Sequence, residues 1–165
     1  MAVVISLIPD KESQDRLRSY ALSLAAEVQP KTKFHTTVFY AEEIPLFKRA
    51  DVCLEVYNRL PITLNPGGYS LDIFGENTVL RYGDDRVKEI NKALLQYAVR
   101  QMICLWPDLR GKERRELRQS QSQRVSEVYH EFNPHISFGK KIGIDRLTEL
   151  ESFNYPIRLT GFRWK

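Results

Sequence analysis

The sequence predicts an α+β fold built from two similar halves. Three observations carry that expectation. Short β-branched and aromatic runs alternate with segments whose apolar residues recur every three or four positions. The order strand, helix, strand, helix, strand occurs twice, with one extra hairpin strand between. Finally, two of the chain's three histidines, His35 and His135, occupy the same place in the two halves.

Residues 3–8 are apolar, partly β-branched and ended by Pro9-Asp10, which predicts a buried first strand. The opening nine residues lack a basic lead and a small-residue cleavage site, so they read as this strand and not as a signal peptide. Residues 11–28 place Leu17, Tyr20, Ala21, Leu24 and Val28 on one face, with Asp10 as cap: an amphipathic helix. Pro30 closes it, and residues 34–40 form a strand. Residues 46–57 are helix-like, residues 62–64 are extended, and Asn65-Pro66-Gly67-Gly68 is a turn. Residues 69–74 and 78–82 predict a hairpin around Gly75-Glu76-Asn77. Asp84 or Asp85 then caps a long helix with Val87, Ile90, Leu94, Ala98 and Met102 on one face. Residues 136–139 form a strand, 145–150 a short helix and 157–164 the last strand. Residues 107–131, charged and then Gln/Ser-rich, fit neither half. They read either as a solvated insertion or as a basic flap over a phosphate-binding cleft.

A chain of 165 residues is the size of one domain, spanning 1–165. With 42% hydrophobic and 28% charged residues it has the composition of a globular protein and not of a disordered one. No apolar run approaches the roughly 20 residues that cross a bilayer, so no membrane partner is expected. The net charge of +4 and pI near 9.1 favour anionic partners without specifying one. Cys53 and Cys104 have no ligand spacing around them and read as free buried thiols of a reducing, cytoplasmic protein.

The chemistry lies in His35-Thr36-Thr37 and His135-Ile136-Ser137, each with a hydroxyl two positions after the histidine. Strand side chains alternate faces, so His35 shares a face with Thr37, and His135 with Ser137. Thr36, Val38, Ile136 and Phe138 then face the helices. Two imidazoles and two hydroxyls over one cleft suit phosphodiester cleavage. One ring accepts a proton from the attacking oxygen and the other donates to the leaving oxygen, while the hydroxyls hold non-bridging oxygens. Neither a metal nor another cofactor is expected, because no Asp, Glu, Cys and His cluster has ligand spacing. Taken singly, either histidine reads more readily as a core residue of an apolar strand; the paired pattern is what favours catalysis. His130 falls outside the pattern and reads as a surface residue.

These residues resemble the 2H phosphoesterase superfamily, named for two His-x-Thr/Ser motifs on symmetry-related strands. Phe-His-Thr-Thr-Val-Phe-Tyr at 34–40 and Pro-His-Ile-Ser-Phe-Gly at 134–139 carry the likeness. The resemblance implies a bilobal fold of two pseudo-symmetric halves around a central cleft, and metal-independent cleavage of nucleotide or RNA phosphate esters. Serine at 137 departs from the commoner threonine but keeps the donor. The chain is also similar in size and motif surroundings to small phage enzymes that counter CBASS immunity by cleaving cyclic di- and trinucleotide signals, which would act in the host cytoplasm. An RNA 2′,3′-cyclic phosphodiesterase or RNA end-processing enzyme would use the same four side chains. A nucleotide-sequestering or RNA-binding module without turnover is the reading from a different class. The expected partner is thus a cyclic oligonucleotide or RNA phosphodiester, with no obligate protein partner.

Lys31, Lys33, Lys140 and Lys141 flank the motifs, either as phosphate-neutralising rim residues or as solvated strand ends. Tyr40, Tyr69, Phe74, Tyr82 and Trp164 are candidates for stacking on bases, or core aromatics. Lys33, Tyr40, Lys140 and Trp164 are the substrate-binding expectations.

Overall fold

The computed structural model describes residues 3–24, 33–41, 49–104, 132–140 and 151–165, with positions 111–113, 115, 116 and 119. Its elements are β1 (Val3–Pro9), α1 (Lys11–Ser23), β2 (Thr36–Ala41), α2 (Arg49–Tyr57), β3 (Ile62–Leu64), β4 (Tyr69–Phe74), β5 (Asn77–Tyr82), α3 (Asp85–Cys104), β6 (His135–Lys140) and β7 (Ile157–Trp164). The expected short helix at 145–150 and most of the 107–131 insertion lie outside the described residues, as do His130, Lys31 and Lys141.

Local chemistry sets the boundaries. The Asp10 carboxylate accepts from the Ser13 amide at 2.9 Å and starts α1, whose Leu17 and Ala21 are fully buried. Asp84, not Asp85, caps α3, accepting from the Arg86 and Val87 amides at 2.9 and 3.3 Å. Val87, Ile90, Leu94 and Ala98 bury the inward face of α3. The hairpin between β4 and β5 turns on two residues, Gly75 and Glu76, and Asn77 pairs with Phe74 as part of the strand. Gly75 takes φ 59°, a left-handed conformation that a side chain would strain.

The strands form two sheets, ordered β2-β1-β7-β3 and β4-β5-β6. The last strand crosses over: β7 inserts between β1 and β3, the outer strands of the first half, instead of completing the second. Ile157 and Leu159 are fully buried there beside Ile62 and Leu64, which explains the preference. Each sheet therefore contributes an edge strand to a common seam, β2 from the first and β6 from the second. One continuous core joins them, running from Ile5, Leu7 and Val38 to Leu80, Ile136 and Phe138.

The two motif strands share a distortion. The β1–β2 ladder shifts register between Ile5 and Ser6, which leaves Val38 as an extra residue. The β5–β6 ladder shifts between Thr78 and Val79, which leaves Phe138 as the extra residue. Each bulge lies three positions after its histidine. No helix among the described residues is long and apolar enough to cross a membrane.

Candidate active site

β2 begins at Thr36 and β6 at His135, so both histidines stand at the mouths of their strands. The strands meet through the Thr36 hydroxyl, which donates across the seam to the His135 carbonyl at 2.5 Å. Each ring is held by the main chain just before it. His35 Nδ1 lies 3.2 Å from the Lys33 carbonyl oxygen, and His135 Nδ1 lies 3.0 Å from that of Asn133. A carbonyl only accepts, so Nδ1 carries the proton in each neutral ring and Nε2 keeps the free lone pair. The two rings thus have the same tautomer by the same device.

The register assigns every other group to a wall. On the first sheet Thr37 pairs with Ser6, and Ser6 with Arg163, which makes one row across three strands. Two residues along β1, Tyr40, Val4 and Lys165 form the next row, the last pair closed by two backbone bonds of 2.9 and 3.0 Å. Both rows occupy the face opposite Ile5, Leu7 and the core. Ser6 Oγ lies 3.4 Å from Thr37 Oγ1, a contact at the long limit of a hydrogen bond. On the second sheet His135 pairs with Arg81, and the exposed Ser137 with Val79. Arg81 is ion-paired to Asp72 at 3.0 Å, and the Phe74 ring lies 4.9 Å from that of His135.

These surroundings act on His35. Its pKa is lowered from 6.5, first because the ring is half-buried and then because Arg163, Lys165 and His135 bring positive charge near it. The hydrogen bond to the Lys33 carbonyl opposes this without reversing it. His35 is therefore predominantly neutral at pH 7, with Nε2 able to take a proton.

Two amide side chains fix β2. Gln14 on α1 donates from Nε2 to the Phe34 carbonyl at 2.7 Å and accepts the Phe34 amide on Oε1 at 2.8 Å, so it pairs with the backbone as a neighbouring strand would. Asn91 on α3 donates to the carbonyl of Val38, the bulge residue, at 2.7 Å. The Phe34 and Phe138 rings meet edge-on at 6.0 Å beneath the two motifs.

His35, Thr37, His135 and Ser137 thus come together at the seam on the side away from the core. Thr36, Val38, Ile136 and Phe138 are buried, as their alternation requires. Tyr40 is 58% exposed and Phe74 57%, each on its sheet's outward face. Lys33 is exposed, and its carbonyl is what holds His35. Lys140 ends β6 opposite Asn77, and its side chain lies outside the described residues. Trp164 corrects the expectation: it pairs with fully buried Ile5 and packs against the core, on the face opposite Thr37. Tyr69 and Tyr82 are core residues too, the Tyr69 hydroxyl bridging the Leu64 carbonyl and the Ile157 amide at 3.2 and 3.1 Å. Ser6, Arg163, Lys165, Gln14 and Asn91 escaped the sequence reading. Alternation along Phe162-Arg163-Trp164-Lys165 puts the two cations on one face, but only the pairing with β1 says which.

Among the described residues no three His, Cys, Asp or Glu side chains gather as metal ligands would. Cys53 is a free thiol but partly exposed, not buried as expected, and the Cys104 side chain lies outside the described residues. Neither the family models nor the curated proteins compared with this chain match it.

Proposed function

We propose that this protein is a metal-independent phosphodiesterase of the 2H type, which cleaves nucleotide phosphodiesters by acid–base catalysis between His35 and His135. The reading rests on one observation above the others. Two histidines at the mouths of adjoining strands each donate Nδ1–H to the carbonyl two residues upstream, and each is followed by a hydroxyl and then a bulge. A core histidine requires none of this repetition.

In the proposed reaction the neutral His35 Nε2 takes the proton of the attacking hydroxyl, which belongs to water or a ribose. That oxygen bonds to phosphorus as the bond to the leaving ribose oxygen breaks. His135, protonated, supplies that oxygen with its proton from Nε2. Thr37 and Ser137 donate to the non-bridging oxygens and hold phosphorus between the rings. The lowered pKa of His35 supports the role of base for this ring. The substrates we favour are cyclic di- and trinucleotides, as in anti-CBASS cleavage. Exposed Tyr40 and Phe74, on opposite walls, offer ring faces to bases on either side of one phosphate.

The test is incubation of the purified protein with labelled cyclic dinucleotides, cyclic trinucleotides and 2′,3′-cyclic mononucleotides in EDTA, beside His35→Ala and His135→Ala. Turnover by the wild type, reduced about 10²–10⁴-fold in either variant, is expected. If the wild type cleaves no phosphodiester while binding one tightly, the sequestering reading replaces this one.

A further inference from the structure

The first sheet's outward face carries two cations that the paired-histidine chemistry does not use. Arg163 is half-buried and Lys165 exposed, and neither is ion-paired among the described residues. The corresponding cation of the second sheet, Arg81, is by contrast neutralised by Asp72. Among the described residues, the β7 wall thus carries two cations near His35 with no carboxylate paired to them.

Its placement is specific. Arg163 ends the row that runs through Ser6 to Thr37, the hydroxyl beside His35. Lys165 ends the row that runs through Val4 to Tyr40. The rows lie two strand residues apart, about 6.7 Å. One row offers the half-buried Arg163 guanidinium and the half-buried Thr37 hydroxyl, with Ser6 buried between them, which suits the oxygens of a phosphate. The other offers an ammonium and an exposed aromatic ring, which suits a phosphate together with a base.

We propose that Arg163 and Lys165 form a two-phosphate subsite, Arg163 for the phosphate between the histidines and Lys165 for the next phosphate of an oligonucleotide, linear or cyclic. The inference rests on the phosphodiesterase reading for what happens at the first phosphate, and it narrows the substrate class. A 2′,3′-cyclic mononucleotide has one phosphate and leaves the Lys165 row empty; an oligonucleotide fills both rows.

The experiment compares wild type, Arg163→Gln and Lys165→Gln on a cyclic dinucleotide and on a 2′,3′-cyclic mononucleotide, with melting curves to verify folding. Lys165→Gln is expected to raise KM for the cyclic dinucleotide about tenfold and to change that for the mononucleotide less than twofold. Arg163→Gln is expected to impair both. Equal effects of Lys165→Gln on the two substrates, or none on either, overturn the proposal. Direct binding of a labelled cyclic dinucleotide to His135→Asn, with and without the second substitution, separates this question from turnover. If nothing is hydrolysed, the catalytic reading fails. The subsite then stands only if each added substitution weakens binding about tenfold at low salt and much less at high salt. Binding that ignores both substitutions removes it.

Discussion

His35 combines a half-buried ring with three positive neighbours, and both features favour its neutral form. The consequence for stability has a definite sign. Between the lowered folded pKa and 6.5, the unfolded chain holds the proton that the folded chain has released. Stability from this group is therefore complete above 6.5 and is lost as pH falls through the folded value. Melting temperature of the wild type should fall over that acidic window more steeply than that of His35→Gln; parallel curves would refute the assignment. The same reasoning fixes kinetics. The acid limb of kcat/KM, which reports the free enzyme's base, should lie below 6.5 and move upward in Arg163→Gln, because one repelling charge is gone.

At the scale of elements, the strand that presents His35 is positioned by helices that contribute no catalytic group. Gln14 of α1 satisfies both backbone groups of Phe34, and Asn91 of α3 satisfies the Val38 carbonyl that the bulge removes from the ladder. Replacing either by alanine leaves a buried or half-buried backbone group unpaired, at about 1–3 kcal/mol. Chemical denaturation should show that loss, and turnover should fall further than stability alone explains, because His35 is released from its register. These contacts mark the limit of what the sequence discloses. Periodicity located β1, β3, α3 and β7 closely, since each buries one regular face, and His-x-Thr with His-x-Ser marked the motif strands. For α1 it found the start and the buried face but not the end, which falls at Ser23 where 28 was expected, residues 25–28 lying outside the described ones. Bulges leave no such pattern: Val38 and Phe138 look like any apolar strand residue. Trp164 was misassigned for the same reason. An aromatic near a strand end suggests stacking, while its face depends on pairing with Ile5, a partner some 160 residues away in the chain. Gln14 and Asn91 are polar residues in helices, and nothing local distinguishes them from solvated ones.

At the scale of the whole molecule, two sheets adjoin at the edge strands β2 and β6, and a side-chain bond crosses that seam between the two motifs. Thr36, fully buried, donates to the His135 carbonyl at 2.5 Å, so the middle residue of one motif ties down the histidine of the other. The second motif has Ile136 in that place, which has no hydroxyl to return the tie. Thr36→Val conserves volume and removes this donor together with the hydroxyl's contact to the buried Tyr82 hydroxyl, leaving buried polar groups unpaired at about 1–3 kcal/mol each. Because the carbonyl belongs to His135, the spacing of the two rings should loosen as well. We expect kcat to fall at least tenfold with little change in KM, since the phosphate contacts proposed for Thr37 and Ser137 would remain. Thr36→Ser, which keeps the donor and loses a methyl group, should recover most of that turnover while melting somewhat below the wild type. If Thr36→Val loses stability but turns over like the wild type, the seam bond is structural alone, and the rings owe their spacing to the core beneath them.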